Sequence, residues 1–147
     1  MTPEHQQLIS RINASSDALK RALASVPNDK HALHPREGEW SAREALAHTR
    51  DVALLAYGLR LRRALVENDP LFANYDEDEY RALNPVSPQE SASDMLTMIV
   101  AEHEQVTRLL SNLPDALWQR SGRHPTSGVL TVEFLARRVA EHAEEHA

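Results

Sequence analysis

Trp40-Ser41-Ala42-Arg43-Glu44-Ala45-Leu46-Ala47-His48 is the stretch on which the fold turns. Ser41 and Glu44 form a capping box: the serine hydroxyl accepts from the amide three residues on, the glutamate returns to the cap, and apolar Trp40 stands just outside. A long helix starts there. At about 100° per residue, Ala45, His48, Val52, Leu55, Leu59 and Val66 fall in a narrow arc, so the spacing predicts one buried face with His48 in its middle.

Outward from this stretch, the same period recurs three times. Thr2-Pro3-Glu4 offers a cap with proline at the first helical position, and Leu8, Ile12, Leu19, Leu23 and Val26 make a stripe. Pro27-Asn28-Asp29 ends that helix, and a connector carries the chain to Glu39. After Asn68-Asp69-Pro70 comes an irregular acidic and aromatic connection, Leu71 to Pro85, with room for a short helical turn. Ser87-Pro88-Gln89-Glu90 reads as a second capping box ahead of Met95, Ile99, Val106, Leu110 and Leu113. Beyond a linker with Gly122, Pro125 and Gly128, a fourth helix starts near Thr131 and lines up Leu135, Val139, His142 and His146. No strand pattern is visible. The expected architecture is all-α, an up-down four-helix bundle forming a single domain over residues 1–147, with any ligand site between facing helices.

Composition narrows the function. The chain has 147 residues, no cysteine, and 16 Lys+Arg against 22 Asp+Glu, for a net charge of −6. That sign argues against nucleic acid as a partner. No apolar run is long enough for a membrane span, and no signal segment is apparent, so a cytoplasmic protein is expected. Without cysteine there is no disulfide, no thiolate ligand and no cysteine nucleophile, and a metal could be held only by histidine and carboxylate.

Among the eight histidines, His142 and His146 stand one helical turn apart and can converge on one ion. His48, placed deepest in an apolar stripe, is the natural third donor. Three neutral imidazoles leave coordination positions open, as in catalytic rather than structural sites. Taken singly, each has a plainer reading: a solvated pair near a helix end, and a core imidazole bonded to a carbonyl or carboxylate. Position 143 is alanine, so this is not the His-Glu-x-x-His of zinc peptidases.

Trp40 to His48, Tyr75-Asp76-Glu77-Asp78-Glu79-Tyr80, Leu130-Thr131-Val132 and His142-x-x-x-His146 together resemble the DinB-like superfamily of four-helix-bundle proteins. The resemblance implies a divalent metal on His48, His142 and His146. It also implies relatives that include metal-dependent transferases and isomerases using low-molecular-weight thiols. The leading expectation is a metal-dependent transferase that joins such a thiol to a small electrophile. The alternatives are a non-catalytic metal-binding or stress-response bundle, a metal-dependent hydrolase, and a plain helical interaction module. Zinc or nickel is the first choice of ion, iron or manganese the next, and a homodimer is expected. Members of the superfamily continue past the position of Ala147, so a frayed His146 beside a terminal carboxylate is expected; a short natural chain and a truncated one both stay open.

Several further residues receive an expectation. Glu44 and Asp51 flank the His48 stripe as a capping and a surface acid, or as proton acceptors. Glu102 is a boundary acid, or it orients an imidazole. His103 is expected to be partly exposed, and His5, His31, His34 and His124 to be solvated. Phe72, Tyr75 and Tyr80 either tether their loop or frame a pocket over the metal end. Trp118 is a packing anchor, and Arg60, Arg62 and Arg63 make a solvated face.

Overall fold

The caps form where the side chains allow them. In the computed structural model, which describes residues 1–147, Thr2 Oγ1 accepts from the His5 amide at 3.1 Å and opens α1, Pro3–Ala24. Both bonds of the capping box are present: Ser41 Oγ accepts from the Glu44 amide at 3.1 Å, and Glu44 Oε1 accepts from the Ser41 amide at 3.2 Å. They start α2, Ala42–Asp51, which passes through a wide π turn, Val52–Tyr57, into α3, Gly58–Val66. A short helix, α4, covers Glu77–Leu83. Next come α5, Ala92–Ser111, and α6, Val132–His146, the latter capped by Thr131. No helix is long and apolar enough to cross a membrane.

These helices make the expected four-helix bundle, with α2 and α3 counting as one long member, but not in the simple up-down order expected. Chain directions refine it. Around the bundle α1 packs on α5 and α6, while the α2–α3 helix closes the circuit between them, leaving α1 at the opposite corner. Arg43 meets the carbonyls of Ser87 and Glu90, whereas Arg62, further along, meets Glu102, so the second and third long helices run parallel. Glu4 and Arg11 of α1 face Glu133 and Glu144 of α6 in the same order, a second parallel pair. The long helices therefore run up, down, down, up. Parallel neighbours need a connection spanning the helix length, which is why the segment from residue 67 to 91 is long.

The interior has two parts. One cluster gathers Ile12, Leu61, Phe72, Trp118, Val132 and Leu135 among others; the second gathers Leu19, Leu46, Ala47, Met95, Ile99 and Ala143. Ala47 and Ala143 are fully buried, and their small side chains allow α2 and α6 to approach closely beside the histidines that adjoin them in sequence.

Three expectations are corrected. The arc predicted for the second helix fails from within the π turn onward: Leu55, Leu59 and Val66 are exposed, at 38, 46 and 80%, while Leu61 and Ala64 are buried. A π turn accommodates one more residue than an α turn, rotating the remainder of the helix by about one residue step of 100°. The linker with Gly122 and Gly128 is a hairpin, β1 Ser121–His124 with β2 Gly128–Thr131, to which Leu71 bridges at Arg123. Its four-residue strands are too short for an alternating pattern to show. Phe72 lies so close over Gly122 that any Cβ there would collide with the ring. The third long helix begins at Ser91, whose hydroxyl accepts from the Asp94 amide at 3.0 Å, and not at Ser87. The Arg43 guanidinium holds the Ser87 and Glu90 carbonyls in a turn instead.

Histidines expected at the surface are buried as well. His5 stacks on Trp118 with centroids 3.8 Å apart, and His124 Nδ1 accepts from the Thr126 and Ser127 amides in the hairpin loop. His103, 1% exposed, shares a 2.6 Å hydrogen bond with Ser16 across the α1–α5 contact. Burial pushes its pKa from the ordinary 6.5 down to about 4. Because the folded state resists protonation, stability is full above pH 6.5 and is lost as pH falls towards 4, by about 3 kcal/mol in total. Urea denaturation of the metal-free protein across this range is expected to show a slope to which the triad histidines also contribute, and His103→Met is expected to reduce it by the share of His103; a slope equal to that of the wild type would remove His103 as a source.

Candidate metal centre

His48 stands on α2 one turn before the π turn, and His142 and His146 stand one turn apart on the antiparallel face of α6. One donor atom from each imidazole lies within 4.8 Å of the others. His142 Nε2 and His48 Nε2 are 3.0 Å apart, and the three ring centroids are separated by 4.7 to 4.9 Å. His142 is buried, while His48 and His146 are half-buried. The three residues singled out from the sequence are thus brought together.

Their electrostatics suit ligation. Burial lowers the pKa of all three; for His48 and His142 the neighbouring imidazoles lower it further, as do Arg81 and Arg138 respectively. His142 is pushed down to about 3. At neutral pH the imidazoles are uncharged and their lone pairs available, the state a metal requires. The donor set is all nitrogen with no thiolate, which fits a divalent transition ion.

Above the triad lies the Trp40 indole, 4.8 Å from the His48 ring and 6.0 Å from that of His146. Beside it, Glu77 of α4 places Oε1 at 3.6 Å from His48 Nδ1. Both atoms are buried and neither makes a hydrogen bond. The other oxygen of Glu77 accepts from the Tyr75 hydroxyl, and Arg81 lies 3.5 Å from Oε1 while also pairing with buried Asp51. Burial raises the pKa of Glu77.

Two hollows adjoin the histidines from different sides. A cavity of about 370 Å³ is lined by Trp40, Glu44, His48, Glu77, Asp78 and Arg81. The other, of about 220 Å³, is apolar, formed by Leu19, Leu23, Val26, Ala45 and Leu46, and reaches His146.

Several flanking expectations change. Glu102 orients no ligand: it is buried in a two-pronged pair with Arg62, at 2.6 and 2.7 Å, against Gly58, where a Cβ would strike both the carboxylate and the Ala53 carbonyl. Arg62, though still partly exposed, is thus tied into a buried pair and not simply solvated. Asp51 is held by Arg50 and Arg81, and Glu44 caps α2 while meeting His34 at 3.1 Å on the cavity rim. Phe72 sits in the core, so the acidic stretch covers the histidines with Glu77 and Arg81 instead. Glu77 was not singled out from the sequence, where nothing separates it from Asp76, Asp78 or Glu79.

The comparisons agree with this architecture. A model of the DinB superfamily matches residues 11–147. A protein of Oceanobacillus iheyensis named "putative metal-dependent hydrolase" is 28% identical over 138 residues, covering 94% of this chain and 78% of its own. YfiT of Bacillus subtilis, with the same description, is 27% identical over 129 residues, covering 87% of this chain and 71% of its own. The solved structure of YfiT, described as a probable metal-dependent hydrolase with an unusual four-helix bundle topology, superposes with a TM-score of 0.85 at 24% identity, over 99% of this chain and 83% of that one. At that identity the superposition speaks for the fold, while the family match rests on the sequence. This chain belongs to the DinB superfamily.

Proposed function

We propose that the protein is a metal-dependent transferase in which His48, His142 and His146 hold a divalent ion, zinc or nickel first, and a low-molecular-weight thiol is joined to a small electrophile. The observation that carries the transfer reading is the pair of hollows meeting the triad from two sides, one polar at His48 and one apolar at His146. A two-substrate reaction needs two such approaches; the polar cavity suits the thiol and the apolar one the electrophile. When bound, the ion supplies Lewis acidity that favours thiolate over thiol at neutral pH. The chain's own part is to position and to move a proton. Glu44 and Asp78 line the polar cavity, where a carboxylate can take the thiol proton as the sulfur–carbon bond forms and the leaving group departs. Trp40 covers the triad from above and limits water.

Hydrolysis is the second reading, favoured by the names of the relatives. There a water would replace the thiol in the polar cavity, and the same carboxylates would receive its proton.

The test is a metal-loaded, untagged protein assayed with 1-chloro-2,4-dinitrobenzene and a panel of thiols, beside a panel of esters and amides. Thiol-dependent consumption that falls at least about 100-fold in His48→Ala is expected. Thiol-independent hydrolysis with the same His48 dependence would replace transfer by the second reading. Loss of neither substrate class, with one ion tightly bound, would leave a metal-binding bundle without catalysis.

A further inference from the structure

We infer that Glu77 is a positioning residue: it accepts the Nδ1 proton of His48 and so directs the Nε2 lone pair of that imidazole towards His142 and His146. The inference rests on the metal-site reading above and extends it to the connection between α3 and α5.

His48 Nδ1 and Glu77 Oε1 are both buried, both without a hydrogen bond, and 3.6 Å apart. A buried polar atom without a hydrogen bond costs about 1–3 kcal/mol; Arg81, 3.5 Å from Oε1, balances part of the carboxylate charge, while His48 Nδ1 has Oε1 as its one neighbouring acceptor, so the two mark a bond waiting to close. Closing it to an ordinary N–H···O distance takes a shift of about 0.7 Å. Of the acids around His48, Glu77 alone brings an oxygen within 4 Å of a ring nitrogen: Asp51 is held between Arg50 and Arg81, Glu102 pairs with Arg62, Glu44 reaches back to the cap of α2, and Asp78 and Glu145 act on the imidazole only from farther away. The opposite nitrogen of His48 faces His142 Nε2 at 3.0 Å. With the proton on Nδ1, that Nε2 is an acceptor, as ligation needs; with the proton on Nε2 the lone pair would point away from the triad.

Glu77 is itself held. The Tyr75 hydroxyl donates to its second oxygen, and Arg81 ties α4 to buried Asp51 on α2. The seating of α4 and the orientation of His48 are therefore linked. Ligand residues commonly depend on such outer partners, whose loss weakens metal binding about 10- to 100-fold.

The test uses two readouts on the full chain. Two-bond proton–nitrogen correlation spectra of metal-free, histidine-labelled protein report the tautomer of His48, and competition against a chromophoric chelator gives the affinity for zinc. In the wild type the proton is expected on Nδ1, against the preference of a free imidazole for Nε2. Glu77→Leu is expected to lose that tautomer and to bind zinc about 10- to 100-fold more weakly. Glu77→Gln keeps a neutral acceptor and is expected to fall between the two; it also carries the test if the leucine variant does not fold. Variants that keep the wild-type tautomer and bind zinc within threefold of it would overturn the inference while leaving the metal site standing. A wild type that takes up no zinc would overturn the metal reading, and the tautomer comparison would then decide the role of Glu77 by itself.

Discussion

His142→Ala is expected to abolish stoichiometric metal binding: near one equivalent of divalent ion in the untagged wild type by elemental mass spectrometry, and none in the variant. His142 is the buried member of the triad and lies against His48 at 3.0 Å, so its loss removes the donor best shielded from solvent. The fall in affinity is expected to exceed the roughly 10- to 100-fold seen for outer-shell partners. Heat denaturation gives a second view. An ion at about 100 times its dissociation constant stabilises the fold by about 2.7 kcal/mol, so zinc is expected to raise the Tm of the wild type and to leave that of the variant unmoved.

Protons compete with the ion only once they bind the free site. Because the triad histidines titrate below the ordinary 6.5, and His142 at about 3, metal is expected to stay bound well below pH 6.5 and to be released only in more acidic solution. A wild type free of transition metal, with no uptake of zinc, nickel or manganese at pH 7, would remove the site.

Trp118→Ala is expected to cost about 3–5 kcal/mol of stability, read as a shift of the urea midpoint at unchanged slope. The indole is fully buried in the larger core cluster and stacks flat on His5 at 3.8 Å. It joins a short 3₁₀ turn after α5, Asp115–Gln119, to the first turn of α1. Its Nε1 has no hydrogen-bond partner, so Trp118→Phe gives up area but no bond and is expected to lose much less. The site lies at the other end of the bundle, and metal content is expected to survive wherever the alanine variant remains folded. A loss of stability of less than 1 kcal/mol would contradict the anchoring role.

Helix number and approximate placement were legible because capping chemistry and the 3.6 period are local. Thr2, Ser41 and Thr131 cap where the sequence suggests, and His48, His142 and His146 stand on faces that meet. What was not legible depends on partners distant in the chain. Nothing in Val52-Ala53-Leu54-Leu55-Ala56-Tyr57 announces a π turn, and the helices it packs against, α5 and α6, lie far along the chain. The pairing of Glu102 with Arg62 across two helices is equally invisible to periodicity, as is the choice of Glu77 among four neighbouring acids. Burial of His103 could be suspected from its place beside the stripe of Ile99 and Val106, but its bond to Ser16 needs α1 alongside.

The up, down, down, up order bears on how the chain reaches its native state. In bundles where each helix packs on the one just before it, contacts are local in sequence and folding is fast. Here α1 lies across from α2 and α3, and its neighbours are α5 and α6, separated from it by most of the chain. The apolar stripe of the opening helix is covered only by helices from the second half of the chain. Loop closure precedes reward in such an order, which lengthens the search. The histidine cluster is assembled by the same kind of closure, because two of its three members ride on α6. The three-histidine site therefore exists only once α6 has docked on α2; before that the chain holds His48 on one helix and the His142–His146 pair on another, apart.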